Sequence, residues 1–137
     1  MNSTILINID VDDLERAVTF YTQAFGLRVG RRFGAFALEL VGGTSPIYLL
    51  AKRAGTSASP ETGDRRRYGR HWTPLHLDFV VSDLDAAVSA AVAAGATLEG
   101  PTAIHAWGKI ARLADPFGHG FCLIEFMGRG YDEIAVV

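Results

Sequence analysis

His76 and Asp78 are the two residues of this chain whose types and spacing most clearly suggest chemistry. They are separated by one residue in PLHLDFV, an alternating stretch typical of a β-strand, so both side chains point to the same face of that strand. A His-x-Asp pair on one face can bind a metal when a third ligand completes a facial triad, and His105 and His119 are candidates for that position. Such a pair also arises by chance at average composition, so it does not define a metal site alone.

A repeated phrase indicates which elements must position this pair. VDDLERAVTF (residues 11–20) and VSDLDAAVSA (residues 81–90) carry identical residues at five of ten positions. Each copy follows an alternating stretch and continues with apolar residues at helical spacing. Asp12 or Asp13 can cap the first helix, and Ser82 with Asp85 repeats this scheme in the second. Each predicted helix ends at a glycine, Gly26 or Gly95, which can adopt the left-handed conformation of a helix C-terminus.

Strand signals after each helix complete two similar units. LRVGRRF, AFALELV and PIYLLA follow the first helix, and KIARLAD and FCLIEF flank the turn PFGHG after the second. We therefore predict a single α+β domain with two βαβββ modules, over residues 3–51 and 73–127. A linker loop over 52–72 joins them, and a C-terminal tail covers 128–137.

The linker contains a cluster of arginines interleaved with aromatic residues, namely Arg65, Arg66, Arg67 and Arg70 with Tyr68 and Trp72. The linker is polar, punctuated by Gly and Pro, and long for a compact domain. We expect its arginines to form a solvated loop, with a lid over an anionic ligand as the alternative.

Composition and charge exclude several classes of function. The 137 residues are 49% hydrophobic, and 13 Lys and Arg against 15 Asp and Glu give a net charge of −2. Such a chain can bury one core and has no overall field that would attract nucleic acid or an anionic membrane. No segment has the pattern of a signal peptide or a membrane span, so we expect a cytoplasmic protein. Its single cysteine, Cys122, is expected to be a buried structural thiol.

The chain resembles the vicinal oxygen chelate superfamily in three stretches of sequence. They are the doubled VxDL helix start, FYTQAFGLRV in the first half and DPFGHGFCLIEF near the end. This superfamily includes glyoxalase I, bleomycin-resistance proteins and extradiol dioxygenases, and the resemblance extends over about residues 3–127. It implies that the paired modules form a cup-shaped mixed sheet and that a homodimer completes clefts lined from both chains. It also implies that metal-using members take their ligands from the first and last strand of each module.

Counting along the two modules places four residues at the positions where the resemblance implies metal ligands. His76 and Leu6 each lie seven residues before the aspartate of the helix start, and Glu125 and Leu50 each lie seven after a glycine of the preceding turn. His76 and Glu125 can bind a metal, whereas the leucines cannot. Because a catalytic ion usually needs at least three protein ligands, no cofactor is expected, with zinc, nickel, manganese or iron at His76 and Glu125 as the alternative.

Strand alternation predicts which side chains face the cup. Those residues are Leu6, Asn8, His76 and Asp78 on the first strands and Tyr48, Leu50, Phe121, Leu123 and Glu125 on the last ones. Cys122, Ile124 and Phe126 are expected to point into the core instead. With the aromatic residues near the cup, the candidate ligand-binding residues are Leu6, Asn8, Phe33, Tyr48, Leu50, Trp72, Trp107 and Phe121.

Two functions remain open from the sequence. One is a metal-free protein that binds or sequesters a small organic molecule in a dimer cleft, as the resemblance to bleomycin-resistance proteins implies. The other is a lyase, isomerase or dioxygenase in which His76, Asp78 and Glu125 act as acid and base or hold a metal. In both cases the expected partners are a small organic molecule and a second copy of the chain.

Overall fold

The computed structural model describes residues 2–136, and its internal contacts divide the chain into two units that meet between Gly69 and Arg70. Each unit contains one helix and one mixed sheet, as predicted for a βαβββ module. The α+β class and the doubled module are therefore confirmed. None of the helices within residues 2–136 has the length and hydropathy needed to cross a bilayer.

The first unit follows the predicted order of elements. Its strands are β1 (Ile7–Val11), β2 (Arg28–Phe33), β3 (Ala37–Val41) and β4 (Ile47–Ala51), and its helix is α1 (Leu14–Phe25). The sheet has the order β1-β4-β3-β2, in which β1 runs parallel to β4 and the other pairs are antiparallel. The helix α1 begins where the side chain of Asp13 accepts a hydrogen bond from the backbone N–H of Arg16.

The second unit repeats this plan with one strand broken. Its elements are β5 (Leu77–Val80), α2 (Leu84–Ala94), β6 (Thr97–Leu98), β7 (Ala103–His105), β8 (Gly108–Ala114), β9 (Gly120–Phe126) and a terminal 3-10 helix (Gly130–Glu133). The sheet order is β5-β9-β8-β6, and β7 pairs with β8 further along the same edge. One strand of the first unit thus corresponds to the two short strands β6 and β7.

The register of β1 with β4 determines the two faces of the first sheet. Asn8 pairs with Tyr48 and Asp10 pairs with Leu50, so their side chains share one face. The opposite face contributes Val11, Leu38, Leu40, Ile47 and Leu49 to a buried core with Phe20 and Tyr21 of α1. The predicted common face of Asn8, Tyr48 and Leu50 is confirmed.

In the second sheet the prediction for the last strand is wrong by one residue. Asp78 pairs with Cys122, and Leu77 pairs with Phe121. Cys122 and Ile124 therefore share the face of Asp78, whereas Phe121, Leu123 and Glu125 point to the opposite side. A shift of one residue moves every side chain of a strand to the other face.

A difference in hairpin length explains this error. Between their last paired residues, Leu40 and Ile47, the strands β3 and β4 are joined by residues 41–46, whereas β8 and β9 are joined by residues 115–119. The second hairpin is one residue shorter. The residue of β9 that corresponds to Leu50 of β4 is therefore Ile124. Counting seven residues from the turn glycine, Gly118, had given Glu125 instead.

We predict that Gly108→Ala will destabilise the protein by about 3 kcal/mol or more. Gly108 begins β8 with φ of +155°, and a Cβ atom there would overlap the backbone carbonyl oxygen of Glu125. Urea unfolding followed by circular dichroism measures the change. The matched control is Gly63→Ala, since no heavy atom beyond the chain neighbours lies within 4 Å of a Cβ at Gly63. Equal midpoints for the two variants would contradict this account of β8.

Candidate functional site

A row of four polar side chains crosses the face of the second sheet opposite α2. Asp78 on β5 pairs with Cys122 on β9, and Cys122 pairs with Arg112 on β8. The backbone N–H of Glu99, directly after β6, donates to the carbonyl oxygen of Arg112 over 2.8 Å. Because neighbouring strands are about 4.8 Å apart, these four residues span the sheet from edge to edge. We call Asp78, Cys122, Arg112 and Glu99 the polar row.

A cleft of about 240 Å³ lies beside the polar row. Its walls include the side chains of Trp72, Arg70, His76 and three members of the polar row, whereas Leu113 and Phe121 border it with their side chains buried on the other face of the sheet. Trp72, His76 and Phe121 were predicted as site residues from the sequence; the structure places Trp72 and His76 at this cleft, whereas the ring of Phe121 packs against Phe79 on the other face of the sheet. Arg112 and Glu99 were not predicted from the sequence, because neither the strand β8 nor the segment after β6 carries a recognisable motif.

Arg70 is fixed in this cleft by a two-point ion pair. Its Nε lies 2.7 Å from Oε2 of Glu99 and its Nη2 lies 3.1 Å from Oε1. The guanidinium lies over Gly120, where a Cβ would come within 2.6 Å of Nη2. The hydrogen bonds from Arg70 lower the pKa of the Glu99 carboxyl group. Both side chains are therefore charged and paired at neutral pH.

The linker arginines are only partly the solvated loop that we predicted. Besides Arg70, Arg66 forms an ion pair of 2.7 Å with Asp10 of β1, and Arg65 donates to the carbonyl oxygen of Gly55. Arg67 is exposed, as expected. The sequence contains Asp10 within TILINID, but nothing in it indicates that this aspartate pairs with Arg66. The two residues are more than fifty positions apart, and such a pairing has no local sequence signature.

His76, Asp78 and Cys122 form a cluster that could hold a metal ion. One ligand atom from each residue lies within 4.8 Å of the other two, and Nδ1 of His76 is 3.1 Å from Oδ1 of Asp78. Imidazole, carboxylate and thiolate are ligands of zinc and related metals, and three of them leave a position open for a substrate. These residues therefore fit a divalent metal, with Cys122 in the place that we predicted for Glu125.

The thiol of Cys122 must lose its proton before it can bind a metal. Burial, together with the smaller effect of the negative charge of Asp78, raises the pKa of this thiol to about 11. At neutral pH the group is a neutral thiol that is half-buried at the cleft. The expectation of a cysteine pointing into the core is wrong, because the register places it beside Asp78.

Glu125 performs a structural role at the start of α2. Its Oε1 accepts a hydrogen bond of 2.8 Å from the backbone N–H of Leu84, one of the N–H groups that a helix leaves unpaired at its first turn. Its other oxygen, Oε2, is 3.9 Å from Nζ of Lys109. The prediction that Glu125 shares a face with His76 is therefore wrong, and its carboxylate stabilises the helix terminus instead.

Trp107 and the two candidate third ligands are engaged elsewhere. The ring of Trp107 stacks on His105 with centroids 5.1 Å apart and packs against Tyr131 of the terminal 3-10 helix. Nδ1 of His119 lies 2.9 Å from Nε2 of His71. Trp107 therefore fastens the C-terminal segment to the second sheet and does not line the cleft. Neither His105 nor His119 belongs to the cluster around His76.

The first unit has a separate polar and aromatic cluster on the open face of its sheet. Nη2 of Arg31 is 2.7 Å from Oε2 of Glu39, and the hydroxyl group of Tyr48 donates to the same oxygen over 3.1 Å. Phe33 lies beside Tyr48, with ring centroids 6.2 Å apart. The structure thus brings together two predicted ligand residues, Phe33 and Tyr48, with a charged pair that we did not predict. The sequence feature that could have indicated this charged pair is Glu39, a single acidic residue within the apolar stretch AFALELV.

The remaining residues predicted for this face surround the cluster. Asn8 is exposed on β1, Leu50 lies on β4, and Leu6 directly precedes β1 with an exposed side chain. None of the three carries a charge, and the two leucines have no atom that could bind a metal. They provide a mixed surface beside Tyr48.

Comparison with known proteins identifies the family of this chain. Residues 6–124 match the family described as the glyoxalase-like domain. The chain belongs to the glyoxalase-like domain family, within the vicinal oxygen chelate superfamily. The resemblance found in its motifs is confirmed over almost the same residues.

Several known proteins are similar to this member of the family. The anthracycline biosynthesis protein DnrV of Streptomyces peucetius is 32% identical over 131 residues, which are 94% of this chain and 43% of that protein. The chain thus spans less than half the length of this relative. The fosfomycin resistance protein FosX of Listeria monocytogenes has a TM-score of 0.73 at 15% identity, covering 98% of this chain and 99% of that chain.

A glyoxalase/bleomycin resistance protein/dioxygenase family enzyme of Burkholderia phytofirmans PsJN has a similar structure. Its TM-score is 0.67 at 23% identity, and the match covers 89% of this chain and 97% of that one. At such identities these two structural matches show a shared fold.

We predict that Glu39→Gln will lower the stability of the protein at pH 7 and that its effect will fade as the pH falls towards 2. Hydrogen bonds from Arg31 lower the pKa of Glu39 from 4.5 to about 2. A group with a lowered pKa in the folded state contributes stability above its ordinary pKa and loses it as the pH falls through the lowered value. Urea midpoints between pH 7 and pH 3 measure the effect.

The control for this prediction is Glu61→Gln, which removes an exposed glutamate that has no ion pair among residues 2–136. Its midpoint should stay close to that of the unchanged protein at each pH. A difference between the protein and Glu39→Gln that stays constant with pH would show that Arg31 does not stabilise the ionised carboxylate.

Proposed function

We propose that this protein binds a small organic molecule with an aromatic ring in the cleft beside the polar row, using its own side chains rather than a catalytic metal. The observation that carries this proposal is Trp72, whose side chain is 81% exposed at the wall of a cleft that also contains paired charges. A large exposed aromatic residue beside convergent polar groups is the usual pattern of a ligand site.

The cleft suits a compact ligand. Its volume of about 240 Å³ is below the roughly 300–1,000 Å³ of typical drug-sized sites. Trp72 offers apolar contact, and the Arg70–Glu99 ion pair keeps the polar wall charged and rigid. One or two fused rings with a polar substituent match this combination.

The relatives support a small-molecule function in general terms. DnrV is named for the biosynthesis of anthracyclines and FosX for resistance to fosfomycin, so both names concern small organic molecules. We extend only this general class to the present chain. A homodimer that completes the cleft and a cytoplasmic location stay predictions.

We expect 2-naphthol to bind in the cleft and to shift the NMR signal of the Trp72 indole N–H. Trp72→Ala should raise the Kd for this probe at least about fivefold, because an aromatic contact contributes about 1 kcal/mol. Titrations followed by ¹⁵N-correlated NMR spectra give both the affinity and the location of the binding site.

Trp107→Phe is the matched control for this experiment, because Trp107 packs against His105 and Tyr131 and does not line the cleft. It should leave the Kd for 2-naphthol unchanged. Equal affinities of Trp72→Ala and the unchanged protein, or shifts confined to other parts of the chain, would refute the proposed cleft.

A second candidate function is metal-dependent catalysis, which the ligand geometry of His76, Asp78 and Cys122 favours. A divalent metal held there would act as a Lewis acid towards an oxygen atom of a molecule in the cleft. The side chains would position the ion at the edge of the cleft, and Asp78 would orient the ring of His76 through their hydrogen bond.

Cobalt(II) is the probe that tests this second candidate. A bound cobalt ion should give a near-ultraviolet sulfur-to-metal absorption that strengthens with rising pH, because the thiol must lose its proton. Cys122→Ser should abolish that absorption, whereas Glu125→Gln should keep it, since Glu125 faces α2. No such absorption in the unchanged protein would eliminate the cluster as a metal site, and its loss in Glu125→Gln would contradict the geometry.

A further inference from the structure

We propose that Arg112 binds a carboxylate group of the ligand, so that the cleft is specific for small aromatic acids. This inference rests on the proposed function and specifies the chemical class of its ligand. It follows from the distribution of charge in the cleft, from the surroundings of the guanidinium group and from the position of the nearest carboxylates.

Arg112 is the cation of the cleft whose charge is left for a ligand. Arg70 forms its two-point ion pair with Glu99, and His76 is hydrogen-bonded to Asp78. For the part of the chain that the structure describes, the guanidinium of Arg112 has neither an ion pair nor a hydrogen bond, and its side chain is exposed. Its five N–H donors are therefore available, and a carboxylate can accept two of them at once.

The backbone around Arg112 holds this side chain in place. Arg112 lies in the middle of β8, which is paired with β9 on one side and with β6 on the other. Its neighbour on β9 is the neutral thiol of Cys122, which does not form an ion pair with the guanidinium and so does not compete with a ligand carboxylate. On the other side lies Gly100, where a Cβ would come 3.4 Å from Nη2, so the absence of a side chain keeps one edge of the guanidinium open.

The carboxylates near Arg112 determine the orientation of a bound acid. Glu99 is already neutralised by Arg70, so it repels a second carboxylate less than a free glutamate would. Asp78 lies two strands away from Arg112, about 10 Å at the usual strand spacing. A ligand carboxylate is therefore favoured at Arg112 and disfavoured at the Asp78 end, and the ring of the ligand lies towards Trp72.

The test compares 2-naphthoate with 2-naphthamide, which have the same ring system and nearly the same size but differ in charge. The unchanged protein should bind 2-naphthoate at least about tenfold more tightly, because a charge-assisted hydrogen bond is involved. Arg112→Gln should remove this preference, because it weakens the binding of 2-naphthoate far more than that of 2-naphthamide. Arg112→Lys, which retains the charge, should keep part of the preference.

Arg67→Gln is the matched control, because it removes one positive charge from an exposed position outside the cleft. It should keep the full preference for 2-naphthoate. Equal loss of the preference in Arg67→Gln and Arg112→Gln would show an effect of overall charge and overturn the proposal.

The outcomes separate this inference from the proposed function. If both probes shift the Trp72 signal with equal affinity in the unchanged protein, the cleft binds aromatic molecules and Arg112 does not recognise a carboxylate. If neither probe shifts that signal, both the cleft and the role of Arg112 are refuted. A preference for 2-naphthoate that Arg112→Gln abolishes supports both.

Discussion

The register between the first and last strands of the second sheet determines which side chains can act together at the cleft. The last strand, β9, also pairs with β8 through the short hairpin over residues 115–119, in which Asp115 is buried. The buried carboxylate of Asp115 accepts hydrogen bonds from the backbone N–H groups of Phe117 and His119, over 2.8 and 2.9 Å. Asp115 thus stabilises the turn that sets how β8 pairs with β9, and β9 in turn carries Cys122 to its place opposite Asp78.

The polar row and the cap of α2 are two results of the same register. With Cys122 opposite Asp78, the strand β9 presents a neutral thiol between an acid and Arg112. The same alternation directs Glu125 to the opposite side, where it satisfies the backbone N–H of Leu84. An acidic residue near the end of the chain can therefore support the sheet that carries the cleft without taking part in ligand binding.

The sequence predicted those features that depend on local patterns. The repeated helix start located both helices, and strand alternation correctly gave the common face of Asn8, Tyr48 and Leu50. It failed at β9 because the two hairpins differ by one residue, a difference that appears only when strand pairs are known. The pairs Arg70–Glu99 and Arg31–Glu39 join different elements, so no spacing in the sequence could indicate them.

The raised pKa of Cys122 has a consequence for the durability of the cleft. With a pKa of about 11, only about one thiol in ten thousand is ionised at pH 7, and the thiolate is the form that attacks electrophiles and is most readily oxidised. The sulfur atom therefore offers soft, polarisable contact while its nucleophilic reactivity stays low. A ligand site that contains this protonated thiol is therefore less prone to alkylation than one that contains a thiolate.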